Sequence, residues 1–173
     1  MLAKWSGRTI EGLPPQASEV IRECGYLPLA LAMIGAQLRG RPPILWNSIL
    51  DHLRKAELEK IKAQFPEPHT TLFRAIQISV DALDAEARQR YIALAVMPED
   101  MPAAVQAQQC LWGVDEVEAV ETAEQFVSLS LAQRDQAERS IRLHDLQLDY
   151  IRKQYPDQEA LPLLQGPCGS PQT

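Results

Sequence analysis

Few residues in this chain are spaced for chemistry. Its 173 residues include three histidines, His52, His69 and His144, and three cysteines, Cys24, Cys110 and Cys168. The cysteines are far apart and odd in number, so neither a disulfide framework nor a paired Cys-x-x-Cys metal site is suggested. In their apolar surroundings Cys24 and Cys110 read as small buried hydrophobes. No nucleophile stands in an organised set with a general base, which removes hydrolytic chemistry. Glycine nowhere precedes lysine, so the sequence has no loop of the Gly-Lys-Ser/Thr type, whose amides and lysine cradle phosphates. Nor does it have an apolar strand ending in paired aspartates that would hold magnesium. Two short stretches remain, CGYLPLALAMIG at 24–35 and LHDLQ at 143–147. By residue type alone Pro28 starts a helix and His144 is a structural histidine at a strand-to-helix junction. His52 and His69 keep that reading.

The elements that position these stretches follow from periodicity. After a loop at GLPP, Ala17, Val20 and Ile21 fall at helical spacing within 15–23, and Gly25 is placed to end that helix. A second helix starts at Pro28, since proline's missing amide has no intrahelical partner in a first turn and its φ is already helical. Leu27, Leu31, Ile34 and Leu38 make one stripe of this helix, and Ala30, Met33 and Gly35 leave its other faces nearly free of charge, so it must be buried on most sides. Trp46, Leu50, Leu53, Ile61 and Phe65 then mark a long amphipathic helix with Lys55, Glu59 and Lys62 on its solvated face, followed by a Pro66–Pro68 loop. Phe73, Ile76, Val80 and Leu83 lie on one face of a further helix.

From Asp84 the pattern changes. A helix through Tyr91 and Leu94 stops at MPED, a short one covers Ala103–Leu111, and a third begins at Asp115. There Asp115 and Glu118 resemble a capping box, with Val117, Val120 and Val127 facing inward. Two alternating runs, SLSLAQRD and RSIRLHD, joined by a polar turn at Gln136–Glu138, read as a β-hairpin, and a helix over Leu146–Gln154 closes the unit. Asp145 is placed to cap that last helix. Three helices followed by a hairpin is the order of a winged helix. The expected fold is mainly α: a helical-bundle subdomain over 1–83, a winged-helix subdomain with a small β-hairpin over 84–155, and a flexible tail over 156–173. The tail ends in QGPCGSPQT, too rich in Pro, Gly and Ser to pack.

Composition narrows the partners. The balance is acidic, with 17 Lys and Arg against 23 Asp and Glu, and the basic residues are spread along the chain. Generic nucleic-acid binding is disfavoured. No run reaches the roughly 18 apolar residues a membrane span needs, and MLAKWSGRT lacks a secretion signal's apolar core, so a soluble cytoplasmic protein is expected.

These stretches together resemble one family, the NB-ARC class of STAND nucleotide switches, which includes apoptosome-forming factors and plant disease-resistance proteins. The matching landmarks are CGYLPLALAMIG, ISVDALDAEARQRYIALAVMPED, EQFVSLSL and LHDLQLDYIRK. They stand in the family's order and span nearly everything from Leu13 to Lys153. The resemblance implies that Pro28 lies against the adenine of a bound nucleotide and that His144, in the family's Met-His-Asp landmark with leucine replacing methionine, contacts the β-phosphate of ADP. It implies that Ser130, in VSLSL, reaches the phosphate region by its hydroxyl. The ligand is then ADP or ATP, shared with a nucleotide-binding domain in cis or in trans, with no metal held by this chain alone and no enzymatic activity of its own. The start, MLAKWSGR, looks like the end of such a nucleotide-binding domain, and the tail stands where a repeat domain usually follows.

Two other functions are open at this stage. The first is a protein-interaction or adaptor module without nucleotide control, which would bind a partner or self-associate through the surface around Pro28. The second is DNA binding by the winged helix. The recognition-helix candidate 103–111 has no lysine or arginine, and the wing offers only Arg134 and Arg139 amid acids.

Overall fold

A computed structural model describes residues 1–55, 70–135 and 139–155. Ile61, Phe65, the Pro66–Pro68 loop, the Gln136–Glu138 turn, His69, Cys168 and the 156–173 tail lie outside the described residues. The described residues fall into two compact units, those of Met1–Leu83 with Ser128–Leu131, and those of Asp84–Val127 with Ala132–Tyr155.

The first unit is helical: α1 Leu2–Ser6, α2 Ala17–Glu23, α3 Pro28–Gln37, α4 Pro43–Lys55 and α5 Thr70–Asp81. The centre is α3, on which α1 and α5 both pack. Every residue from Ala30 to Ala36 is buried, as expected of a helix with no polar face to turn to water. Where α1 crosses it, Gly35 permits the approach, because a Cβ there would stand 2.7 Å from the Cβ of Trp5. Gln37 Nε2 donates to Ser79 Oγ at 2.8 Å, tying α3 to α5. α4 packs on α2 and α5 through Trp46, Leu50 and Leu53, spaced four and three as one helical face requires. Its outer face pairs Arg54 with Glu19 and, at 3.6 Å, with Glu23. The segment MLAKWSGR therefore packs inside this unit, as α1 with Gly7 closing it in a left-handed conformation.

On α5, Arg74 is buried and donates from Nη1 to the carbonyl of Leu53 at 2.7 Å. Its charge is felt by Cys24, whose fully buried thiol is pushed up to about 12 by loss of solvation, partly offset by the Arg74 charge. A thiol of that kind is inert: at pH 8 only about one in ten thousand molecules carries a thiolate. In native protein Cys24 is therefore expected to resist thiol-reactive dyes at pH 8 and to react at an ordinary rate in denaturant, as a timed labelling assay reads directly. The folded value lies above the ordinary one of 9.0, so the associated stability is intact below about pH 9 and is lost as pH rises toward 12.

The second unit runs α6 Ala85–Ala93, a 3₁₀ turn Leu94–Val96, α7 Val105–Trp112, α8 Glu116–Ser128, β1 Gln133–Asp135, β2 Ser140–Arg142 and α9 Asp145–Gln154. Asp84 caps α6, its Oδ1 accepting from the amide of Ala87 at 2.8 Å. Asp115 does the same for α8 toward the amide of Glu118 at 2.9 Å. The Glu118 carboxylate goes to Arg90, which also meets Glu86 and, at 2.8 Å, Thr122 Oγ1. The strands pair antiparallel with Arg134 opposite Ile141. Ile141 also bridges to Ala103 through two backbone bonds of 2.7 and 3.1 Å. Together these make the small sheet of a winged helix.

Three expectations change. Val117 is 67% exposed, and Val120 and Val127 are only half-buried; the core face of α8 is Ala119, Thr122, Ala123 and Phe126. Phe126 decides this, because its ring is held edge-on by Tyr91 and Trp112, and the valines lie from about a quarter-turn to half a turn away from it. The SLSL part of the first alternating run is not strand: α8 continues through Ser128 and pairing begins only at Gln133. Cys110 is exposed on α7.

Candidate functional site

Pro28 is the first residue of α3, exposed, with Leu27 extended before it at φ −73°, ψ 125°. The turn delivering it closes α2 with three backbone bonds: Gly25 N to Arg22 O at 2.9 Å, Tyr26 N to Ile21 O at 3.2 Å and Leu27 N to Cys24 O at 3.1 Å. The ring thus presents an apolar surface with no donor to desolvate.

Ser130 follows the end of α8, 8% exposed and left-handed at φ 58°. It packs as part of the first unit, to which Pro28 also belongs, whereas His144 lies in the second.

His144 is exposed and is itself the N-cap of α9. Its Nδ1 accepts from the amide of Leu146 at 3.2 Å, while its own amide donates to Gln147 Oε1 at 2.9 Å. This corrects the expectation for Asp145, which is the first helical residue and not the cap. The physical reason is spacing: with the cap at 144, the buried Gln147 falls at the third helical position and closes a capping box. That signal was present in the sequence as His-x-x-Gln. The cap also fixes the ring. With Nδ1 accepting, the neutral imidazole carries its proton on Nε2, which the cap leaves out of use.

α9 is anchored far from its cap by Arg152, whose guanidinium donates to the carbonyls of Ala95 at 3.0 Å and Met97 at 2.6 Å and meets Glu99 at 2.9 Å. These bonds, charge-assisted on the donor side, set the helix against the 3₁₀ turn. α8, the third helix before the hairpin, where a DNA-reading winged helix would carry base-contacting residues, reads EVEAVETAEQFVS, without a lysine or arginine, and α7 reads VQAQQCLW. Among the described residues no group of three or more His, Cys, Asp or Glu is arranged to hold a metal ion, and no helix is long and apolar enough to cross a membrane.

The family model of the apoptotic protease-activating factor 1-like winged-helix domain matches residues 86–151, the segment that carries α6 through the start of the last turn of α9. Apoptotic protease-activating factor 1 of Danio rerio is 33% identical over 162 residues, covering 92% of this chain. The chain belongs to the NB-ARC class of STAND proteins. The Homo sapiens apoptotic protease-activating factor 1 is 31% identical over 141 residues, 80% of the chain, and a probable disease resistance protein of Arabidopsis thaliana is 35% identical over 83 residues, 47% of the chain. The chain spans 13%, 11% and 9% of the lengths of these three relatives. Within this NB-ARC chain, residues 86–151 are the winged helix, and the second unit's helices, hairpin and Ala103 bridge are that domain's framework.

Proposed function

We propose that this chain is the regulatory, helical and winged-helix part of an ADP/ATP-dependent switch, working with a nucleotide-binding domain of its family in cis or in trans. In the closed state Pro28 meets the adenine, His144 the β-phosphate of ADP, and Ser130 the phosphate region. Exchange to ATP frees the winged helix and permits homo-oligomer assembly in a cytoplasmic signalling or cell-death-like response. The nucleotide supplies the charged phosphates; this chain supplies contacts to them and no catalytic group.

The observation that carries the reading is the state of His144. A capping bond to Leu146 holds the ring, so its Nε2–H is a donor of fixed orientation at the start of a ten-residue helix, where the dipole favours an anion. A bond from that donor to phosphate is worth about 1.5 to 3 kcal/mol, roughly ten- to a hundred-fold in affinity. A ligand shifts a two-state equilibrium only through its different affinities for the two states, so a contact made only in the ADP form biases the switch. The exposed Pro28 supports the other end of the same reading.

The test separates cap from ligand. Asparagine caps a helix about as well as any residue, so His144→Asn keeps α9 while removing the imidazole. In a protein that also carries the family's phosphate-binding domain, ADP affinity by calorimetry is expected to fall ten-fold or more with little change in melting temperature. Parent-like ADP binding removes the role assigned to His144.

A further inference from the structure

We infer that Tyr26 is a second base-contacting residue of the nucleotide site, its ring standing with Pro28 against a purine; this rests on the reading of Pro28 above. The reason is a cost with no return inside the fold. The bonds that close α2 require two left-handed residues in succession, Gly25 at φ 60° and Tyr26 at φ 59°. At Gly25 this is free. At Tyr26 a side chain stands where L residues crowd their own carbonyl, and glycine would serve the turn without strain.

The tyrosine ring gives nothing back locally. Tyr26 is 70% exposed, and among the described residues its phenol makes no hydrogen bond and its ring no aromatic contact. Two positions on, Pro28 is exposed as well, while Leu27 between them is half-buried. An exposed aromatic residue and an exposed proline thus flank a half-buried leucine. A flat heteroaromatic base gains from both, by stacking or edge contact with the phenol and by apolar contact with the proline, and the phenol hydroxyl adds a donor and acceptor for the base edge.

The opposed signs of stability and binding make this testable in the parent protein used above, in which this chain is joined to the family's phosphate-binding domain. ADP binding is followed by saturation-transfer NMR on the adenine protons, with melting temperature measured in parallel. Tyr26→Gly is expected to melt at the parent's temperature or about 2 to 4 °C higher and to bind ADP at least about five-fold more weakly, with Tyr26→Phe close to the parent. A Tyr26→Gly protein that melts lower overturns the inference, because the ring then serves the fold. Parent-like ADP binding by Tyr26→Gly together with weakened binding by Pro28→Ser overturns the role of Tyr26 and leaves that of Pro28. A change in solution mass with ADP binding untouched assigns Tyr26 to contacts between chains and overturns it too. Absence of ADP binding by the parent at millimolar concentration overturns both readings.

Discussion

Phe126→Ala is expected to cost the winged-helix unit about 3 to 5 kcal/mol, the range for emptying a fully buried aromatic site. Phe126 is 0% exposed and meets two rings edge-on, Tyr91 at 5.2 Å and 69° and Trp112 at 5.9 Å and 85°. Each such pair adds about 0.5 to 1.5 kcal/mol beyond the buried area. The neighbours are poorly able to close the hole. Tyr91 is itself fully buried, and Trp112 is held by its Nε1 donating to the carbonyl of Arg90 at 2.9 Å. Chemical denaturation followed by near-ultraviolet circular dichroism reads the loss. Phe126→Leu, which keeps most of the volume, should lose less than half as much. A loss below about 1 kcal/mol for the alanine variant, far under the range for such a site, would show that α8 does not depend on this ring cluster.

The second large effect comes from adding atoms. Gly35→Val is expected to destabilise the helical unit by about 3 kcal/mol or more, at the upper end for overpacking. The first added carbon would already stand 2.7 Å from Trp5 Cβ, with Leu2 Cδ1 at 3.4 Å and the carbonyl of Leu2 at 3.5 Å. Trp5 Cβ is the root of its side chain and cannot rotate away, so α1 must lift from α3. Gly35 does not stand at a positive φ, so the backbone conformation suits valine and the penalty is one of space. Gly35→Ala isolates the single clashing carbon and should fall between the parent and Gly35→Val in a denaturant titration. Full stability in both variants would mean that α1 contributes nothing to this unit.

The sequence predicted well wherever one helix's own composition settled the outcome. Pro28 begins α3 because proline at a first helical position costs nothing, and α3 is buried along Ala30–Ala36 because its sequence offers no polar face. Trp46, Leu50 and Leu53, and likewise Phe73, Ile76 and Val80, are buried on the faces their spacing announces. The family landmarks, read in order, led to the winged helix matched over 86–151.

Competition between two adequate local signals misled it. On α8 both Val117-Val120-Val127 and Ala119-Ala123-Phe126 have helical spacing. The valines are the more apolar set, but Phe126 meets Tyr91 and Trp112 from other helices, contacts no window along α8 contains. At the entry to α9, Asp145 and His144 both have cap-forming side chains. The choice fell to His144 because only that register gives Gln147 a cap amide to bind while staying buried. The alternating SLSL run lost to helix continuation through Ser128, and pairing starts only at Gln133, in the ladder where Ile141 has both Arg134 and Ala103.

Local sequence therefore determined which segments are helical, which faces of α3, α4 and α5 are apolar, and the family, because periodicity, proline placement and motif order are properties of the chain itself. Only the tertiary structure decided the buried face of α8, the capping bond accepted by His144 Nδ1 and the strained, exposed posture of Tyr26. Each depends on atoms brought together by folding, where ring packing and hydrogen-bond competition choose between options that the chain alone leaves equal.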